Sequence, residues 1–212
     1  MIAIVVSRAD SASEHIGERL LEVGDWEARA DDSRPDADGG GTYYRTDGFH
    51  PGGSDGLPTR LPSPAAAFDG DPDFRAFVSR HSGETGRLLT AHVTGNCGGA
   101  EYGGEPESLA TAAPGAEKHV VEALARHAPE GYEVGIECTH HGPTDVSVPS
   151  LFVELGSDEP QWEDPEAARA VARAVLDLRG SGPGLTADSG RPPRRAAGFG
   201  VALPGVSAPA RG

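Results

Sequence analysis

The chain opens on Ile2-Ala3-Ile4-Val5-Val6, a continuous β-branched run bounded by polar residues, and passes at once into a helix signal. Such a run suits a short buried strand over Ile2 to Ser7. Ser11-Ala12-Ser13-Glu14 then has capping-box spacing, Ile16, Leu20 and Val23 recur at helical intervals, and Gly24 offers a stop. A strand followed directly by a helix is the opening of an α/β domain. The remaining signals agree: strands over Phe74 to Ser79, Leu88 to Thr94, Val134 to Thr139 and Ser150 to Leu155, and helices over Ala116 to His127 and from Asp164-Pro165 to about Leu178. This order predicts a mixed or parallel sheet with helices on both faces.

Two segments break the pattern. From Ala28 to Asp73 periodicity disappears among glycines and prolines, and only Thr42 to Thr46 reads as a strand. Residues 179–212 hold eight Gly, five Pro, five Arg and one acid, a net charge of +4 where residues 1–178 carry −19. With no apolar repeat to bury, that tail is expected to be disordered coil. The domain reading is one catalytic domain over 1–178, incomplete and irregular over 28–73, followed by the tail.

Charge limits function. The chain carries 33 acidic against 18 basic residues, net −15, and Lys118 is its sole Lys. That excludes a basic nucleic-acid clamp of the usual kind. Abundant carboxylates, scarce Lys and small apolar residues also form the pattern of a protein working in molar salt. There the Debye length falls to about 3 Å, so an anionic partner is no longer repelled at long range. Cys97 and Cys138 support neither a disulfide framework nor a Cys-based zinc finger, which makes a reducing cytoplasm the default. The opening apolar run is too short and lacks the flanks of a signal peptide, and nothing approaches the roughly 20 apolar residues of a membrane span. A monomer without membrane attachment is expected.

Seven of eight histidines lie between His50 and His141, and the informative ones sit near predicted strand ends, where open α/β sheets place ligand sites. His15, His50, His119 and His127 read as structural or solvent-exposed. His92, beside Gly95 and Asn96, and the adjacent His140 and His141 read as functional; at a strand end followed by Gly142-Pro143 both can turn into one site. Imidazole and carboxylate are the natural ligands of a catalytic zinc with one position open, sufficient chemistry for ester hydrolysis. Glu154 and Glu137 lie on predicted strands, where an unpaired buried carboxylate is costly, so each is either solvated or a ligand or base in a pocket. Cys138 near His140 is a minimal acyl-transfer pair, although most strand cysteines are small core residues.

In combination, Arg80-His81-Ser82, Thr90-Ala91-His92-Val93-Thr94-Gly95-Asn96, Ala100-Glu101-Tyr102-Gly103-Gly104, Glu137-Cys138-Thr139-His140-His141-Gly142-Pro143-Thr144 and the run Pro149 to Ser157 with Trp162 resemble the archaeal and plant type of D-aminoacyl-tRNA deacylase. The resemblance implies a cytoplasmic, zinc-dependent hydrolase of phosphorylase/hydrolase-like α/β fold that releases D-amino acids from tRNA. Carried onto this chain, the site is His92, Asn96, Thr139, His140, His141 and Glu154, with Thr144 as a further hydroxyl partner. The resemblance further implies Zn2+ held by two or three of His92, His140, His141 and Glu154, with Asn96 and nearby backbone amides stabilising the oxyanion. Family members are longer, so the tail is expected to reflect a truncation or frameshift. The alternatives are an inactive family member or another metal-dependent hydrolase, a peptidase or amidohydrolase.

Overall fold

A computed structural model of the protein describes residues 2–32, 41–46, 49–54 and 72–179. Beyond Arg179 the expected tail lies outside the described residues. A six-stranded sheet runs in the order β4-β1-β5-β10-β6-β8, built from β1 (Ile2–Ser7), β4 (Phe49–Ser54), β5 (Phe74–Ser82), β6 (Leu88–Val93), β8 (Glu133–Ile136) and β10 (Ser150–Ser157). Strands β4, β1, β5 and β10 are mutually parallel, while β6 runs antiparallel to β10 and parallel to β8. The sheet is therefore mixed, as the sequence predicts.

Helices α1 (Ser11–Val23), α2 (Pro114–His127) and, after the one-turn α3 (Glu159–Trp162), α4 (Pro165–Leu176) pack together, α4 against both α1 and α2, and against strands β1, β5, β6, β8 and β10. Strand alternation assigns their side of the sheet: Ile2, Ile4, Phe74, Ala76, Val78, Leu89, Ala91, Leu151, Val153 and Leu155 share one apolar cluster with Ile16, Leu20, Val120, Leu124 and Val171. Among the described residues these three helices occupy one layer on one face of the sheet, where the order of elements predicts helices on both. The other face carries a smaller cluster, Ala3, Val5, Phe77 and Phe152, covered by Ala110 and Val146 from loops. Helix α4 lies between α1 and α2 and buries Ala167, Ala168, Ala170, Ala172 and Ala174. Alanine permits that close approach without loss of helix propensity.

The helix termini follow local chemistry. Asp164 caps α4, its side chain accepting from the amides of Glu166 and Ala167, with Pro165 in the first turn. The cap of α1 is Asp10 and not the expected Ser11. Asp10 Oδ1 accepts from Ser13 N at 3.0 Å, and its other oxygen accepts from Arg80 N at 3.1 Å, tying α1 to β5.

The segment 28–73, expected to be irregular, contains more pairing than its periodicity indicates. Strand β2 (Glu27–Asp31) forms an antiparallel ribbon with β3 (Gly41–Arg45), and β4 pairs with β1 at the sheet edge. An edge strand is held through backbone groups on one side only, so Pro51, Gly52 and Gly53 are tolerated there and no apolar alternation is required. Strand β8 is shorter than expected, ending at Ile136, and β5 continues through Arg80, His81 and Ser82, which the sequence reads as a turn.

Candidate active site

Along β10 the face opposite the helices sets polar groups around Phe152. Alternation puts Ser150, Phe152, Glu154 and Gly156 there. Register then fixes their neighbours: Glu154 lies between Ser79 of β5 and Thr90 of β6, Phe152 lies beside His92, and Gly156 lies beside His81. The site thus sits on a sheet face close to the C-terminal ends of β5 and β6, where His81 and His92 are each the next-to-last residue of their strand.

His140 and His141 form the short strand β9, which pairs with β7 (Gly95–Asn96) in the register Gly95 to His141 and Asn96 to His140. Both rings turn to His92: the ring centroids of His92, His140 and His141 are 4.5–4.7 Å apart in every pairing. Phe152 supports two of them, stacked on His92 at 5.2 Å and edge-on to His141 at 4.5 Å. The loop after His141 must pass very close to the loop at Gly103. A Cβ on Gly142 would stand 2.5 Å from Gly104 N, so only glycine allows this approach.

The hydrogen bonds of the three rings share one pattern. Nδ1 meets a main-chain carbonyl in each case: Val93 O at 2.9 Å for His92, Cys138 O at 2.7 Å for His140 and Gly142 O at 3.1 Å for His141. A carbonyl only accepts, so each Nδ1 carries the proton and donates. That leaves the three Nε2 atoms as the ligand atoms, and orienting a ring through its other nitrogen is how metal-binding histidines are fixed. His92 Nε2 is buried and has no hydrogen-bond partner. His92, His140 and His141 present ligand atoms within 4.8 Å of one another, spacing that fits a metal ion.

Glu154 faces this group. It is 2% exposed, accepts from Ser79 Oγ at 2.7 Å, and its Oε1 lies 3.4 Å from His141 Nε2 and 3.7 Å from His92 Nε2. Its other oxygen lies 3.7 Å from His81 Nδ1, which is 2.9 Å from Glu137 Oε1. His81, Glu137 and Glu154 form a second group spaced for a cation, sharing Glu154 with the first face.

These charges are coupled. Burial pushes the Glu154 carboxyl up, but His141, His81 and His92 together hold it well below the usual carboxylate range. Burial likewise pushes His81 down, and the carboxylates of Glu137 and Glu154 outweigh it, raising the imidazole to about 9. His92 is raised by Glu154 against burial, whereas His140, half-buried and beside two other imidazoles, is lowered. A buried carboxylate of this kind requires compensating positive charge, which protonated imidazoles or a bound cation supply.

The other residues expected at the site have different positions. Asn96 donates both bonds of its amide nitrogen to Gly103 O and Glu105 O, at 2.9 and 3.0 Å. It holds a loop, and no donor remains on it for an oxyanion. Thr144 Oγ1 accepts from Glu105 N at 2.9 Å, and Thr139 makes no side-chain hydrogen bond among the described residues. Cys138 is exposed and not core, and its carbonyl, not its thiol, engages His140, so the acyl-transfer pair is not formed. His81 and Ser79 are the members missing from the expected set, and Glu137, offered as a ligand or base in a pocket, faces His81. Their signal was the period-two spacing of Ser79 and His81 and the Gly two residues after Glu154: a Cβ on Gly156 would fall 2.6 Å from His81 Cβ.

Comparison with known proteins shows the family. Residues 68–201 match the family described as D-aminoacyl-tRNA deacylase. A D-aminoacyl-tRNA deacylase of Halorubrum lacusprofundi is 68% identical over 225 residues, covering 94% of this chain and 46% of that protein. Another from Haloarcula marismortui is 60% identical over 178 residues, covering 84% of this chain and 39% of that one. These relatives from halophilic archaea agree with the acidic composition. The chain spans less than half the length of these curated relatives. A crystal structure of a conserved protein of unknown function superimposes with a TM-score of 0.74 at 36% identity, over 84% of this chain and 62% of that one. No helix among the described residues is long and apolar enough to cross a membrane. With the family match covering more than half of its length, the chain belongs to the D-aminoacyl-tRNA deacylase family.

Proposed function

We propose that this chain hydrolyses the ester joining a D-amino acid to the 3′ end of tRNA, in the cytoplasm, with zinc held by His92, His140 and His141 through Nε2 and by Glu154. The observation that carries the metal reading is the shared orientation of the three rings, each with Nδ1 bound to a carbonyl. The unpartnered buried Nε2 of His92 and the all-nitrogen-and-oxygen donor set support zinc in particular. When bound, zinc supplies Lewis acidity, which suits an activated ester.

The protein's own groups do the rest. Phe152 backs the His92 and His141 rings and keeps water from their sheet side. Ser79 fixes Glu154 through Oε1, so the carboxylate stays in one orientation as charge changes beside it. His81, raised to about 9, holds its proton at Nδ1 between Glu137 and Glu154 and spaces the two carboxylates.

The test compares chelator-treated and zinc-reconstituted chain on D- and L-tyrosyl-tRNA in molar KCl. Turnover of the D-ester alone, lost with chelator and restored by zinc, is expected. Preference for the L-ester would overturn the substrate reading, and turnover untouched by chelator would overturn the zinc reading.

A further inference from the structure

Tyr102 and Leu109 are 60% and 61% exposed, two of the large apolar side chains left in water among the described residues. An exposed tyrosine is ordinary by itself. This one sits on a loop that is firmly built. Gly103 O accepts from Gly142 N at 3.0 Å and from Asn96 Nδ2 at 2.9 Å. Glu105 is bound through its carbonyl to Asn96 and through its amide to Thr144. Gly104, at φ 77°, lies against Gly142, where a Cβ on either residue would strike the other segment.

The loop is thereby fastened to the residue that directly follows His141. Backbone geometry through the Gly103–Gly142 hydrogen bond puts the Tyr102 and His141 Cα atoms within roughly 10 Å. That span is of the same order as the one between a nucleoside's base and an acyl group on its own 3′ oxygen. The Tyr102 ring has no aromatic or cationic partner among the described residues. Glu101, Glu105 and Glu107 around it are exposed and acidic, so a phosphate is repelled there while an uncharged flat base is not.

We propose that Tyr102 is a positioning residue on which the terminal adenine of the tRNA acceptor end stacks, setting the 3′ ester over His92, His140 and His141. The proposal deepens the deacylase reading and rests on it for the identity of the RNA. Aromatic side chains are general platforms for unpaired bases.

The experiment uses the 212-residue chain in molar KCl with an acceptor microhelix whose terminal adenine is replaced by fluorescent 2-aminopurine. Wild type and Y102F are expected to quench the probe, and Y102A to lose most of the quenching. With D-tyrosyl-tRNA, Y102A should raise KM about tenfold and leave kcat within about twofold, as loss of one base stack predicts. Absence of quenching by wild type, equal quenching by Y102A, or a loss shared by Y102F overturns the platform. Quenching that depends on Tyr102 in a chain that turns over no D-tyrosyl-tRNA would sustain the platform and overturn the deacylase reading instead.

Discussion

Glu154→Gln separates the role of charge from the role of shape at the centre of the site. The substitution keeps volume and one oxygen but removes the negative charge that faces His92 and His141 at 3.7 and 3.4 Å. Glu154 is 2% exposed, so solvent does little to screen the loss. Removing one partner of a buried charge pair costs about 3–5 kcal/mol, which as binding energy is about 100- to 4,000-fold. The remaining amide oxygen is a weak ligand, so the low end applies: zinc affinity should fall about 100-fold. The zinc-free protein behaves differently. Without Glu154 the burial of His92 is no longer opposed, its imidazole loses its proton more easily, and the Gln amide can donate to the freed Nε2. Zinc-free thermal stability should therefore change little, while proton release on zinc binding diminishes. Competition against a chromophoric chelator gives the affinity, and calorimetry in buffers of different ionisation enthalpy gives the protons. Zinc affinity within threefold of wild type would refute the reasoning.

Three further outcomes follow from particular contacts. His81, raised to about 9 by Glu137 and Glu154 against its burial, adds stability to the zinc-free protein that is fully present below about pH 6.5 and is lost as pH rises through about 9. The difference in melting temperature between wild type and H81Q should accordingly vanish by pH 10, and a difference that grows with pH would contradict it. Gly156→Ala places a methyl 2.6–2.9 Å from the Cβ, Cδ2 and Cγ atoms of His81 and should cost about 1–3 kcal/mol in urea unfolding while displacing the ring from Glu137. Asp164→Ala removes the α4 cap and the partner of the Tyr132 hydroxyl, with an expected loss of about 1–2 kcal/mol by chemical denaturation.

What could be read in advance divides by the range of the interaction. Helix α4 was legible because Asp164 and Pro165 sit where a helix start needs them, and β1 because its β-branched run needs no partner to be recognised. Strand β4 was not, because backbone pairing to β1 holds it and its Pro-Gly-Gly composition says nothing of that edge. At the site, His92, His140 and His141 were found from local neighbours, Glu154 entered through the family resemblance, and they do converge. His81 joins them only through the β5–β10 register, in which Gly156 stands opposite it and leaves room for its ring. Asn96 shows the converse: the family resemblance implied an oxyanion role, but the side chain is committed to two loop carbonyls. Side-chain identity announces capability, while pairing register decides which capabilities meet.

Zinc K-edge absorption of the reconstituted chain inspects the ligand shell directly. Convergence of His92, His140 and His141 through Nε2 predicts a shell of nitrogen and oxygen only, at about 2.0–2.1 Å, with the outer-shell scattering of several imidazoles. A sulfur shell near 2.3 Å, from Cys97 or Cys138, or a first shell without imidazole scattering, would contradict it.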